Sequence, residues 1–444
     1  MVEQVLQEVR IGARRLVHGA LRRPFVRHVS VLTVANGVGA VLSVAQGILV
    51  ARWLGPELYG VAALVMSVPS LVYTFFDARS AEASVKFLSE FDARGERERA
   101  LAMCKVGYAV DFTIAMVAFL VILLLSPWAA KSIVKRPETG GLIILYGSAF
   151  LPRALTGTSY AVLATLGRFP SIALIDTLTN FLRVGLVLGL VGLGWQVAGV
   201  VWGNAIAMAA TGLLYGVLAY GLVKSRWGRS WLLADWSYLR GRRREVIRFF
   251  AYNDLNALLG MIPKQLDVVL LGYFRGPTEA GYYKLAKSLV GVMGYITGPL
   301  QAVVYPRLAQ AQAIQSKRAV RAQGWRLTWS VGLPLALSVV LAIPFASIIL
   351  IFVGEAYKSS IHLFQLFLVL TGWQTIFFWL RPAYWSVGML STFISISTVC
   401  TVALLGVWLI SIPISGASWL ILATIFISIL HIIWLILKFN SALK

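Results

Sequence analysis

The sequence predicts an all-α polytopic membrane protein with about twelve transmembrane helices. Hydrophobic residues make up 59% of the 444 positions and charged residues only 13%, about half the charged share of a soluble domain. The mean hydropathy of +0.78 points the same way. A soluble fold with so few charges could not cover its apolar surface. The lipid bilayer must therefore be part of the solvent.

Apolar runs long enough to cross a bilayer recur along the whole chain. A hydrocarbon core about 30 Å thick needs about 20 apolar residues per helix. The least distinct boundary, between the fifth and sixth runs, falls at Gly192–Gly194. The predicted spans are 30–50, 58–77, 103–127, 142–163, 171–193, 195–222, 248–272, 279–302, 327–353, 359–380, 391–411 and 418–438.

The basic residues predict the orientation of these spans. With the N-terminus placed in the cytoplasm, 28 Lys and Arg fall in cytoplasmic segments, 6 in external segments and 6 within the spans. This asymmetry follows the positive-inside rule and predicts that both termini are cytoplasmic. The net charge of +22 would suggest nucleic acid in a soluble protein. Because the charges lie in short loops between spans, we expect no nucleic-acid partner.

The predicted layout divides the chain into four parts. Residues 1–28 form a basic segment with apolar residues near helical spacing, expected to lie on the anionic cytoplasmic leaflet; a disordered basic tail is the alternative. Residues 29–222 form an N-terminal six-helix bundle, 223–247 a basic cytoplasmic linker, and 248–444 a C-terminal six-helix bundle. The two cysteines, Cys104 and Cys400, fall in apolar runs and are expected to be core residues.

A short turn motif occurs twice, close to half the chain length apart. Pro and Gly break a helix and let the chain reverse between spans. Two copies after odd-numbered spans indicate parallel repeats related by an axis along the membrane normal. The motif is G-P-x-x-x-G, at Gly55, Pro56 and Gly60 and again, 221 residues later, at Gly276, Pro277 and Gly281.

The residues around both turns resemble a known family. The run ARWLGPELYG at 51–60 resembles the first-loop signature of bacterial polysaccharide transporters. The runs LLGYF at 270–274, GP at 276–277, GYYKLA at 281–286 and YPRL at 305–308 are similar to the seventh and eighth helices of that family. Its members are the O-antigen and exopolysaccharide flippases of the multidrug/oligosaccharidyl-lipid/polysaccharide exporter (MOP) superfamily.

The resemblance implies both a fold and a function. The implied fold has twelve helices in two six-helix bundles around a central cavity. The implied function is movement of undecaprenyl-diphosphate-linked oligosaccharide from the inner to the outer leaflet of the bacterial cytoplasmic membrane, without a cofactor. Its expected partners are the lipid-linked oligosaccharide and membrane lipids, with a polysaccharide polymerase and export machinery as candidate protein partners.

Charged residues within the spans predict a water-filled cavity independently of the family. A charge at the bilayer centre costs roughly 3 kcal/mol, so ten lipid-facing charges would cost several times a typical net stability. Arg153 and Arg183 fall near the midplane, whereas Lys264, Lys284 and Lys287 fall in the outer half. Asp176, Asn180 and Arg183 recur at i, i+4 and i+7, which predicts one polar stripe on the fifth span.

These charges are the candidate site residues. Lysine and arginine suit a diphosphate, whereas the acids could couple a cation or form ion pairs. Internal pairing of Lys264 or Lys284 with Asp267 is the alternative to a cavity role. The candidate substrate-binding residues are Arg153, Arg183, Lys264, Lys284, Lys287 and Arg52, and the candidate coupling or pairing acids are Asp176, Asp254, Asp267 and Asp111.

Two further functions compete with a flippase. A cation-coupled drug exporter of the same superfamily predicts an acidic cavity, but basic residues outnumber acidic ones six to four in the spans. A membrane glycosyltransferase or polymerase predicts a large external loop bearing carboxylates, but the predicted external loops are short. The sequence also contains no H-E-x-x-H and no P-loop motif. We therefore expect a transporter rather than an enzyme, without a metal site.

Overall fold

The computed structural model describes residues 24–76, 80–228, 231–242, 244–245, 265–291, 293–314 and 317–441. Every regular element within these ranges is helical, which confirms the all-α part of the predicted fold class. The predicted amphipathic segment up to residue 23, most of the seventh span, Asp254 and Lys264 lie outside the described residues. The N-half (residues 24–227) and the C-half (residues 265–441) are described in turn.

The N-half contains eight helices. The fourth predicted span is broken into three short helices, α4 to α6, around Pro152. The helices are α1 Pro24–Phe76, α2 Ser80–Ala93, α3 Arg97–Ser132, α4 Gly140–Ser148, α5 Phe150–Arg153, α6 Leu155–Thr165, α7 Phe169–Leu190 and α8 Gln196–Trp227. A π-helical segment, Val191–Trp195, joins α7 to α8, and a 3₁₀ turn, Pro137–Thr139, precedes α4.

The connecting segment and the C-half continue the series. Two 3₁₀ turns, Trp231–Leu233 and Trp236–Arg242, lie in the connecting segment. The C-half helices are α9 265–275, α10 Pro277–Gly291, α11 Met293–Ile314, α12 Lys317–Leu327, α13 Leu333–Leu341, α14 Ile349–Val353, α15 Lys358–Ile376, α16 Leu380–Ser386 and α17 Leu390–Ser441. Shorter π and 3₁₀ segments are Thr328–Gly332, Pro344–Ile348 and Glu355–Tyr357.

Several of these helices are long and apolar enough to cross a membrane. Within the described residues there are six: Gly39–Phe76, Arg97–Ser132, Phe169–Trp227, Arg318–Leu341, Glu355–Ser386 and Leu390–Ser441. Large apolar side chains point outward from them, and Leu124, Val217 and Ile414 are 77%, 74% and 73% exposed. Such surface is stable only against lipid. The chain is a multi-pass membrane protein.

Glycines reverse the longest elements. The 53 residues of α1 would extend about 80 Å as a straight helix, far more than a bilayer core. Gly55 breaks it at a φ of 71°, a left-handed conformation that glycine adopts without a steric penalty. Gly194 and Gly416 break the α7–α8 pair and α17 in the same way. Each element therefore corresponds to a pair of predicted spans.

The two ends of the molecule are packed differently. At the end formed by the turns at Gly55 and Gly276, one buried cluster contains residues of both halves, including Val65 and Val134 with Leu271. At the opposite end, one cluster belongs to the N-half and its connecting segment, around Phe87, and another to the C-half. These are named the shared end and the split end. Within the described residues, the hydrophobic core joins the halves at the shared end.

The repeated turn motifs bring the backbones of the two halves into close contact. A Cβ on Gly60 would collide with the carbonyl oxygen of Pro277, and a Cβ on Gly281 would collide with the carbonyl oxygen of Pro56. The contact is reciprocal, because Gly281 and Pro277 stand 221 residues after Gly60 and Pro56. Only glycine lets backbones come this close. The motif therefore serves docking of the halves as well as chain reversal.

Candidate functional site

A polar cavity of about 200 Å³ lies within the N-half. Asp176, Asn180 and Arg183 line it from α7, as a stripe with the spacing noted in the sequence. Arg153 reaches the same cavity from α5. Its other walls are formed by Tyr146, Thr179, Asn204, Ala207, Met208 and Thr211. Two guanidinium groups and one carboxylate thus share a small polar space inside a membrane-spanning bundle.

Local backbone breaks place Arg153 at this cavity. Pro152 cannot donate a helical hydrogen bond, and the regular α-helix is interrupted at Ala149 and Ala154, on either side of the four-residue α5. Gly212 of α8 packs directly against the break, since a Cβ there would collide with the Pro152 carbonyl oxygen. Arg153 is exposed to the cavity, and its guanidinium makes no hydrogen bond or ion pair with another described residue.

Neutral groups orient Arg183. Its Nη2 atom donates to Ser43 Oγ and to Asn180 Oδ1, each at 2.6 Å. Neither of these two partners carries a charge, and the two bonds fix the orientation of the guanidinium. Asp176 on the same helix accepts a hydrogen bond of 2.8 Å from the Tyr215 hydroxyl. The cavity therefore combines fixed positive charge with one hydrogen-bonded acid.

The C-half charges are arranged differently. Asp267 on α9 is 3% exposed and forms an ion pair with Lys287 of α10. The Tyr283 hydroxyl donates to the same carboxylate at 2.6 Å, and the Val268 backbone N–H donates at 2.7 Å. The sequence left Lys264 or Lys284 as possible partners of Asp267, but the structure pairs Asp267 with Lys287. Lys284 is half-buried and lines none of the cavities described here.

The remaining candidate residues lie away from the N-half cavity. Arg52 is exposed at the shared end, three residues before Gly55. Asp111 is buried on α3 and accepts hydrogen bonds from the Thr158 backbone N–H and hydroxyl, at 3.1 and 2.8 Å. Asp111 thus fixes α6 against α3. Among the described residues, no group of three His, Cys, Asp or Glu side chains could hold a metal ion.

A larger cavity, of about 480 Å³, lies in the C-half. Lys287 and Asp267 reach it, but much of its polar lining consists of uncharged groups such as Gln301, Thr371 and Gln374. These amides and hydroxyls carry no charge, so the charged residues within the spans did not point to them. Polar amides inside apolar helices are themselves costly, and that cost is the signal that could have identified them.

A third cavity, of about 170 Å³, lies where the halves meet. Ser43 and Gly47 line it from α1, and Ser288 and Gly291 from α10. Ser43 also accepts the hydrogen bond from Arg183, and Gly291 also lines the C-half cavity. The three cavities therefore follow one another from the N-half across the interface into the C-half.

Solved structures share this architecture. An inward-facing multidrug resistance MATE family transporter of the MOP superfamily matches with a TM-score of 0.72 and 14% identity, over 91% of this chain and 95% of that one. Lipid II flippase MurJ, in an inward closed conformation, matches with a TM-score of 0.71 and 14% identity, over 92% and 87%. The fold is that of MOP superfamily transporters.

A third solved structure also matches the fold of this chain. A MOP superfamily transporter from Pyrococcus furiosus, whose binding pocket of reverse polarity suggests a different function, gives a TM-score of 0.60 at 15% identity, over 97% of this chain and 98% of that one.

No curated protein sequence matches the chain. Residues 25–312 match the family described as polysaccharide biosynthesis protein. This match covers more than half of the chain, which belongs to that family, and the resemblance seen in the sequence is confirmed.

Proposed function

We propose that this protein moves polyprenyl-diphosphate-linked oligosaccharide from the inner to the outer leaflet of a bacterial cytoplasmic membrane, for surface polysaccharide synthesis. Its family membership supports a role in polysaccharide biosynthesis, and its fold is shared with a lipid II flippase. The observation that carries the proposal is the placement of Arg153 and Arg183 in one cavity within the membrane-spanning N-half.

The energetics of these two arginines favour an anionic cargo. A guanidinium within a membrane span is costly unless it faces water or a partner. Hydrogen bonds to Ser43 and Asn180 hold Arg183 at the cavity, and Arg153 is exposed to it. A diphosphate presents oxygens that match the donor fork of arginine. The pairing of Lys287 with Asp267 leaves the N-half as the proposed diphosphate site.

Alternating access is the mechanism that this architecture supports. One shared core at one end and two separate cores at the other allow two bundles to rock about the shared end. The Tyr357 hydroxyl ties the halves there by donating to the Ala51 carbonyl at 3.0 Å. We assign the shared end to the external face, with both termini cytoplasmic, following the distribution of basic residues. The cavities would then load from the inner leaflet.

The proposed arrangement has twelve spans in two bundles, 29–222 and 248–444, joined by the linker 223–247. The reciprocal docking of Gly60 and Gly281 on the opposite prolines supports the repeat. The linker packs on the N-half, where Arg242 pairs with Glu90 and the Tyr108 and Trp231 rings lie 4.4 Å apart. The linker would therefore move with the N-terminal bundle.

The test is translocation in reconstituted vesicles. The probe is a polyprenyl diphosphate carrying one N-acetylglucosamine, and an added impermeant galactosyltransferase labels only sugars on the outer leaflet. Without transport, only the probe molecules already on the outer leaflet are labelled. We expect the wild-type protein to raise the labelled fraction from this value towards all of the probe. Arg153→Glu with Arg183→Glu should abolish this rise. Arg168→Glu is the matched control, because Arg168 is exposed at the start of α7 and lines none of the cavities described here.

The outcomes separate the competing functions. Normal translocation by a well-folded double glutamate variant would contradict the cationic cavity. No translocation by the wild type would contradict the flippase proposal. Export of a cationic dye by the same vesicles, without transfer of the lipid, would favour a drug exporter. Extension of the sugar chain on addition of nucleotide sugars alone would favour an enzyme.

A further inference from the structure

The C-half cavity is large and electrically balanced. Its volume of about 480 Å³ falls within the range of about 300–1,000 Å³ that is typical of ligand pockets. It is enclosed by α10, α11, α15 and α17. Among its described lining residues, the charged ones are Asp267 and Lys287, and these two are paired. The cavity thus offers a free anion little net attraction.

Uncharged hydrogen-bonding groups line the same cavity. The amides of Gln301 and Gln374 each present donors and an acceptor, and the Thr371 hydroxyl can do either. None of these three side chains makes a hydrogen bond with another described residue. Polar groups in a membrane-embedded cavity without protein partners require water or a ligand. Their side chains are therefore available to a polar, neutral molecule.

Aromatic side chains complete the lining. The Phe378 and Trp408 rings form apolar walls, and the Trp408 indole N–H is already bonded to Thr424 Oγ1 at 3.1 Å. A wall of apolar ring surface beside free amides and a hydroxyl matches the two kinds of surface on a sugar. The hydroxyl and acetamido groups of a sugar donate and accept hydrogen bonds, and its C–H faces are apolar.

We propose that the C-half cavity binds the sugar portion of the substrate, while the N-half arginines bind its diphosphate. This inference rests on the proposed function. The cavity at the interface joins the two sites, since Ser43 touches Arg183 and Gly291 lines the C-half cavity. A diphosphate near Arg183 would then direct the attached sugar across the interface. Gln301, Thr371 and Gln374 are the residues that select for a sugar over a bare diphosphate.

Binding to the full-length protein in lipid nanodiscs tests this division. The two probes are a polyprenyl diphosphate without sugar and the same lipid carrying one N-acetylglucosamine. We expect the wild type to bind the sugar-bearing probe about tenfold more tightly, as two to three added hydrogen bonds would give. Gln301→Leu with Gln374→Leu should remove this preference and leave the affinity for the bare diphosphate unchanged. Arg153→Gln with Arg183→Gln should lower the affinity for both probes by a similar factor.

Matched variants keep the test decisive. Gln365→Leu is the control, because Gln365 lies on the same helix as Gln374 but donates to the Ile343 carbonyl at 3.4 Å and does not line the cavity. It should retain the full preference. If the double leucine variant fails to fold, the isosteric Thr371→Val should still reduce the preference by about threefold.

The failures are distinguishable. If the wild type binds neither probe, the proposed function fails. If it binds both probes equally, or if the glutamine variants keep the preference, the C-half assignment is overturned and the diphosphate site stands.

Discussion

Both halves hold basic residues within the predicted spans but arrange them differently. In the N-half, Arg153 and Arg183 face a cavity, and Arg183 donates hydrogen bonds to Ser43 and Asn180. In the C-half, Lys287 is paired with the buried Asp267. Intramembrane charge therefore does not by itself identify a binding site.

Helix geometry explains the difference. Asp176 and Arg183 lie seven residues apart on one helix, about 10 Å along its axis, too far to pair directly. Asp267 and Lys287 lie on successive helices that reverse at Gly276, which brings their side chains together. Tyr283, one helical turn from Lys287, donates to the same carboxylate. Reversal of the chain thus brings the two C-half charges together as an ion pair.

The largest effect is expected from removing the lysine of the buried pair. Lys287→Met would leave the Asp267 carboxylate buried without its cation, at a cost of about 3–5 kcal/mol in stability. The measurement is the free energy of unfolding in detergent micelles. Lys287→Met combined with Asp267→Asn should recover most of the loss, because no unpaired charge remains. Equal losses in the single and double variants would show that the pair is not the cause.

Equivalent glycines of the two halves meet at the shared end, so we expect substitutions at these glycines to have similar effects. Gly60→Ala and Gly281→Ala would each drive a Cβ into the backbone of the opposite turn, at a cost of about 3 kcal/mol or a shift of the halves. We expect the two variants to lose similar stability and translocation rate. Gly221→Ala is the control, since a Cβ there meets nothing within 4 Å. Strongly unequal losses would argue against a reciprocal contact.

A smaller effect is expected at the buried acid of the N-half. Asp111→Ala would remove the acceptor of both Thr158 hydrogen bonds, at a cost of about 2 kcal/mol. Thr158→Val removes only the hydroxyl donor and should cost less. A double-mutant cycle measures the coupling of the two side chains. Coupling near zero would contradict a structural role for Asp111.

A still smaller loss is expected at the cavity acid. Asp176 is exposed to the N-half cavity and accepts one hydrogen bond from Tyr215. Asp176→Asn should change stability by about 1 kcal/mol or less, since the amide oxygen can still accept that bond. The measurement is again unfolding in micelles, with Tyr215→Phe for comparison. A loss as large as that of Lys287→Met would erase the distinction between cavity and buried acids.

The smallest effect concerns ion pairs in water at the split end. The Arg242 guanidinium donates to Glu90 and lowers the pKa of that carboxyl below its ordinary 4.5. A depressed pKa means that the pair stabilises the fold fully above pH 4.5 and that this contribution is lost as pH falls through the folded value. Backbone hydrogen exchange of the linker residues 231–242 should report slight loosening only in that acid range. An Arg242→Gln variant should abolish the pH dependence, and unchanged behaviour would contradict it.

Local pattern was enough to predict the class of protein. Apolar runs and scarce charge determine a helical, membrane-spanning chain, because a backbone in lipid must satisfy its own hydrogen bonds. The glycine and proline turns at Gly55 and Gly276 were visible as a repeat, and the residues around them pointed to the family. The stripe of Asp176 and Arg183 followed from the helical period of a single element.

Tertiary structure decided which charges are available to a ligand. The sequence suggested Lys264 or Lys284 as the partner of Asp267, whereas the structure pairs Asp267 with Lys287, because pairing depends on distances between helices. Nor could it foresee that Gly60 packs on Pro277, or that Gln301 and Gln374 line a common cavity. The sequence by itself therefore determined that charges lie within the membrane spans. Only the packing of the helices decided which of them are neutralised, since an ion pair requires contact within a few ångströms.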